Sequence, residues 1–149
     1  MSESGARPVI VIAHEGDLRF SADIRGHRLV VDQPSPKGGD TGPMPVELLG
    51  AALGTCVALY VQQFCQAREL PFEGMRVEVE QFRASNPSRT GRFRVRVGLP
   101  AALPPQYGEL LERVARSCPV HNTLAHGAEV DVEIDAPAVD REPQLTRNG

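Results

Sequence analysis

The stretch Gly42–Arg68 reads GPMPVELLGAALGTCVALYVQQFCQAR, and the rest of the chain is organised around it. Pro43 and Pro45 mark its start, and Pro45 suits the first turn of a helix, where its missing N–H costs nothing. Glu47 follows in that turn, where a negative charge favours the helix dipole. From Val46 to Val61 the only polar side chains are Glu47 and Thr55. At about 100° per residue, Leu49, Leu53, Cys56, Tyr60 and Phe64 share one face, while Gly54, Ala58, Val61 and Cys65 fall on the opposite, small-residue face. A helix apolar all round is buried on all sides. Its polar ends leave it short of the ~20 apolar residues that a membrane span needs. The reading is a core helix over Val46–Arg68, with the Cys56 thiol on its bulky face.

Composition narrows the rest. A chain of 149 residues fits one domain, here residues 1–136, and is long enough to bury a core without covalent staples. Net charge is −3 and tryptophan is absent, so neither a basic field nor a base-stacking platform points to nucleic acid. The apolar run Val9–Ala13 is too short for a secretory signal, and no membrane anchor is expected, so the expected location is cytoplasmic. In a reducing compartment three cysteines are not a disulfide framework; they are small buried hydrophobes or they are chemistry.

Pro8–His14 is a β-branched run, Leu18–Ile24 alternates, and Arg28–Gln33 returns after the Arg25-Gly26-His27 turn, which predicts a three-stranded antiparallel meander. The Gly- and Pro-rich loop from Pro34 to Pro45 leads into the long helix. Its Lys37-Gly38-Gly39 lacks the spacing of a phosphate cradle and reads as a flexible connection. After Leu70-Pro71, Met75–Arg83 and Gly91–Val97 alternate around the loop Ala84–Thr90 and predict a hairpin. Leu103, Tyr107, Leu110, Leu111, Val114 and Cys118 keep a helical period, so Pro104–Arg116 is read as an amphipathic helix. A short helix opens at Pro119 and ends before Gly127. Glu129–Ile134 is read as a last strand, and residues 137–149 as a disordered tail. The sum is an α+β protein in which antiparallel sheets enclose a long central helix. One chain of this length has trouble covering such a helix on every side, which favours a dimer.

Three thiols need sorting. Cys65 is about 180° around the helix from Cys56, among small residues, and reads as packing. Cys118 occupies a helix N-cap, where free N–H groups and positive potential can lower a thiol pKa, so it is expected to ionise more easily than Cys56 when unassisted. His121, one turn on, can reach towards it. Two thiols from separate elements suggest an attacking and a resolving cysteine; the alternative is two ordinary buried cysteines. The C-x₂-C and H-x₃-H spacings of a zinc site are missing.

The segment Pro45–Cys56, with Cys118-Pro119-Val120-His121-Asn122-Thr123-Leu124 some sixty residues later, resembles the OsmC/Ohr family, the osmotically inducible and organic-hydroperoxide-resistance proteins. The resemblance spans roughly residues 8–135 and includes the order of elements. It implies the OsmC-like fold, an intertwined homodimer with two active sites at the subunit interface, and thiol peroxidase activity. By that resemblance Cys56 attacks an organic hydroperoxide and becomes a sulfenic acid, Cys118 resolves it as a disulfide, and an external dithiol reduces the disulfide. No cofactor or metal takes part.

Val46 stands where better-studied members carry a glutamate that holds an arginine over the thiolate, so the sequence is closest to the OsmC-like branch with a P-x-E-L-L-L-A-A-L-G-x-C pattern. Glu47 is the nearest carboxylate, and Lys37, Arg25 and Arg28 are the nearest cations before the helix. The candidate site is therefore Cys56, Cys118, Lys37, Glu47 and His121. The alternative function is an OsmC-like small-molecule binder, or another thiol-dependent enzyme, using the same pocket.

Overall fold

A computed structural model describes residues 5–137 of the chain. Three strands, β1 (Ile10–Gly16), β2 (Arg19–Ile24) and β3 (His27–Val31), form an antiparallel meander in the order of the sequence. The left-handed residues Asp17 at φ 48° and Arg25 at φ 55° turn the chain at its two hairpins. The register sets Ile10 opposite Ile24 and Ile12 opposite Ala22, with Leu29 beyond, so period-2 alternation gathers one apolar face. Among the described residues no helix covers that face: Ile10, Ile12 and Leu29 are all exposed. β1 lies two residues later than Pro8–His14, because pairing with β2 carries it to the bulge at Gly16.

The long helix α1 runs Pro45–Gln66. Pro45 is in its first turn, and the Glu47 carboxylate accepts from the Met44 backbone N–H at 2.8 Å, closing the N-terminus as a capping box. Its end comes two residues before Arg68: Leu70 N–H turns back to the Cys65 carbonyl at 2.9 Å, with Glu69 at φ 54°. The hairpin β4 (Arg76–Ala84) and β5 (Arg89–Gly98) lies against it. Val77, Val79 and Gln81, paired with Val97, Val95 and Phe93, make the face towards the core. The opposite face carries Glu80 paired with Arg94 at 3.1 Å, and Phe82 beneath Arg92 and Arg94.

Pro104–Arg116 divides into a 3₁₀ turn at Pro105–Tyr107 and the helix α2 (Gly108–Arg116), and α3 (Pro119–His126) follows. The core cluster is Leu53, Val57, Val61, Phe64, Cys65 and Cys118, with β5, α2 and α3 packed around it. Phe64 meets the Tyr107 ring edge-on at 5.8 Å, and Arg68 lies over Phe64 at 3.8 Å, so the end of α1 is roofed by a cation and a ring. Although 22 residues of low polarity are long enough to cross a membrane, this helix buries its stripe in the chain's own core.

Two expectations change here. The helix is buried along one stripe only, since Leu49 and Leu59 on its other side are exposed. Glu129–Ile134 forms no strand: it has no paired neighbour among the described residues, and Val130, Val132 and Ile134 are 82%, 79% and 86% exposed. Alternation makes a segment competent to pair, but a strand exists only where an edge receives it. The tail expected at 137–149 lies outside the described residues, apart from its first.

Candidate functional site

The site is built from the side of α1 where the buried stripe meets the open face. Leu53, Val57, Val61 and Phe64 are buried, whereas Cys56 is half-buried. At about 100° per residue Cys56 falls between the exposed Leu49 and Leu59, about 60° from the buried Leu53 at the edge of the stripe. The thiol is thus packed on one flank and accessible on the other.

Cys118 arrives from a separate element. The chain leaves α2 at Ser117 and re-enters a helix at Pro119, which makes Cys118 the N-cap of α3 in an extended conformation. Its Sγ accepts from the His121 backbone N–H at 3.3 Å, the bond a serine would make at this position. The residue is 0% exposed and packs in the core cluster, where Cys56 flanks it. Burial pushes its pKa up, the His121 N–H opposes that, and the adjacent Cys56 thiol raises it further. The N-cap was expected to ease ionisation of Cys118, but desolvation outweighs the helix terminus.

Cys65 sits on the far side of α1, fully buried, and burial pushes its pKa up against the opposing pull of Arg68. It shares the core cluster with Cys118, and its helical offset from Cys56 is about 180°.

The structure brings Cys56, Cys118 and His121 together, and the other candidates lie elsewhere in the chain. Glu47 caps the N-terminus of α1, nine residues and about 180° away from Cys56. Lys37 is exposed in the loop before α1, and it gives neither thiol a hydrogen bond or ion pair among the described residues. Arg28 pairs with Glu15 at 2.5 Å, and Arg25 forms the β2–β3 turn. The His121 imidazole lines a cavity of about 650 Å³ floored by Val57 and Val61 of α1 and walled by Phe93, Val95 and Leu111. Its Nδ1 is buried without a hydrogen-bond partner among the described residues. No group of three His, Cys, Asp or Glu side chains among the described residues is placed to hold a metal.

Sequence reasoning passed over Asp32. Only 2% exposed, it accepts from Gln33 N–H at 2.7 Å, Thr41 N–H at 3.1 Å and Thr41 Oγ1 at 2.7 Å. These bonds, led by the Thr41 hydroxyl, hold its carboxyl below the usual range. The signal was the pattern of one aspartate before a loop rich in Gly and Pro with a threonine nine residues on, which reads as a turn unless the carboxylate is given a role.

The family model for OsmC-like proteins matches residues 38–133, a span that holds both Cys56 and Cys118. No curated protein matches the chain. Among solved structures, a Psychrobacter arcticus protein described as an osmotic stress induced and detoxification response protein is 21% identical, covering 81% of this chain and 90% of that one, with a TM-score of 0.72. An OsmC-like protein of Mycoplasma pneumoniae is 21% identical over 84% and 89%, with a TM-score of 0.61. A Legionella pneumophila protein described as an organic hydroperoxide resistance protein OsmC is 18% identical over 80% and 91%, with a TM-score of 0.52. Identities this low speak for the fold, and the family assignment rests on the sequence model: the chain belongs to the OsmC-like protein family.

Proposed function

We propose that the chain is a cysteine-based thiol peroxidase that reduces organic hydroperoxides as a homodimer in the cytoplasm. The observation that carries the reading is the meeting of Cys56 and Cys118, one half-accessible on α1 and one buried at the α3 N-cap. The likeness to a Legionella protein described by hydroperoxide resistance supports the choice of substrate.

The Cys56 thiolate attacks the distal peroxide oxygen. An S–O bond forms, the O–O bond breaks, and the alcohol leaves once it takes a proton, so the sulfur is oxidised to a sulfenic acid. Cys118 then attacks that sulfur, expelling water and closing a disulfide. An external dithiol returns both thiols to the reduced state. His121 fixes the Cys118 sulfur through its backbone N–H.

A thiol in apolar surroundings needs a nearby cation to ionise. The cation proposed is Lys37 of a second copy, with Glu47, exposed at the start of α1, closing the site from the same end. Three apolar surfaces left open in one chain favour that arrangement: the β1–β3 face, the Leu49 and Leu59 side of α1, and the run Val130, Val132, Ile134. Covering them all would bury well over ~2,000 Å².

Peroxide consumption with a dithiol reductant, wild type against Cys56→Ser, tests the reading. Loss of turnover in the variant supports it; equal turnover, or none in either protein, sinks it. The cavity beside His121, lined by aliphatic side chains and by Arg92, Arg94 and Arg116, favours a second reading, a small-molecule binder, which predicts ligand uptake unaffected by Cys56→Ser.

A further inference from the structure

Residues 32–44 connect β3 to α1, and the stretch 33–42 within them is drawn around a single carboxylate. Asp32 binds the near end through Gln33 N–H and the far end through both donors of Thr41. The backbone seals the same ring: Asp40 N–H donates to Gln33 O at 3.0 Å, and Asp32 N–H to Pro43 O at 3.2 Å. Two of the loop's glycines, Gly38 and Gly39, stand against this carboxylate. A Cβ on Gly38 would lie 2.5 Å from Asp32 Oδ1, and one on Gly39 would lie 3.3 Å from Oδ2. No cation pairs with Asp32 among the described residues, so neutral donors alone hold a nearly fully buried charge. Such a group is costly to bury, and a connection that had only to span β3 and α1 would not need it.

At the outer bend of the ring is Lys37. Its N–H donates to Pro34 O at 3.1 Å, while its side chain is exposed and makes no ion pair among the described residues. The loop thus fixes the backbone of one free cation and leaves its ammonium to reach another surface.

We infer that Asp32 is a positioning residue for the peroxidase site, holding the 33–42 loop so that Lys37 is presented to Cys56 of a second copy. This rests on the reading of Lys37 as the activating cation. Asp32 acts through Lys37 and touches neither thiol nor substrate. A cation on a loose loop would spend little time within the ~4–6 Å at which it favours a thiolate; the carboxylate ring keeps it there. Of the titratable groups around it, Cys118 of α3 stands next to Cys56, and Tyr60, one turn on along α1, packs on the same core cluster.

The test uses dimeric protein in a Cys65→Ala/Cys118→Ser background, so that Cys56 is the one thiol, and follows its alkylation by iodoacetamide against pH. Asp32→Asn and Lys37→Met should each move the midpoint up by about one pH unit, roughly a tenfold loss of thiolate near neutrality. The double variant should move it no further, and Lys37→Arg should keep it near the parent. A purely structural Asp32 would lower stability and leave the midpoint in place. A shift with Lys37→Met but none with Asp32→Asn overturns the inference and leaves the Lys37 reading standing. No shift with Lys37→Met overturns both. Should Asp32→Asn not fold, Thr41→Val removes one hydrogen bond to the carboxylate; a smaller upward shift is expected, and an unchanged midpoint overturns the inference.

Discussion

Two glycines of α1 offer a test in which one energy term cancels. Gly50 and Gly54 are both buried, both inside the helix, and both face β4. Replacing either by alanine gains about 1 kcal/mol of helix propensity. They differ in what the new methyl meets. At Gly50 it runs into the end of the Gln81 side chain, which can swing aside and gives up only a weak 3.4 Å contact with Thr90 Oγ1. At Gly54 it lies 2.8 Å from Val79 Cγ2, well inside the ~3.5–4.0 Å of an ordinary carbon contact. Val79 cannot yield easily, since its χ1 is stiff and its strand is locked to Val95 on β5. Overpacking of this kind costs about 1–3 kcal/mol. Gly50→Ala should therefore be neutral or mildly stabilising, and Gly54→Ala less stable than Gly50→Ala by about 1–3 kcal/mol. With a urea slope of about 1–2 kcal/mol/M, the two midpoints should separate by about 1 M. Equal midpoints would refute the claim that α1 and β4 are in close contact at Gly54.

Cys65→Ala should leave peroxide turnover within about twofold and cost about 1 kcal/mol in denaturant unfolding, since the side chain is packing alone. Asp32 predicts an acid limb: its carboxyl is held below the unfolded value of ~3.9, so its stabilisation is complete above that pH and fades as pH falls through the folded pKa. Asp32→Asn should flatten that limb in acid unfolding curves, and an unchanged limb would count against the hydrogen-bonded cage. Sedimentation at low micromolar concentration should show a dimer; a stable folded monomer would contradict the covering of the three open apolar surfaces.

Where local pattern decides structure, the sequence was legible. Alternation located five strands within a residue or two, and Pro45, Glu47 and Leu70-Pro71 bracketed α1. The N-cap place of Cys118 followed from Ser117-Cys118-Pro119 alone. What failed depended on surroundings. The acidity of Cys118 was misjudged because a helix terminus is visible in sequence and burial is not. The segment Glu129–Ile134 pairs with no strand among the described residues, and pairing is not written in its own alternation. Asp32 was overlooked because an isolated aspartate gains meaning only when Thr41 and the two glycines fold back onto it.

The most direct measurement is mass spectrometry of the reduced protein after one equivalent of an organic hydroperoxide. A Cys56–Cys118 disulfide in the wild type, and a sulfenic acid on Cys56 in Cys118→Ser, are the expected products. Cys56 left reduced while the peroxide persists would contradict the account.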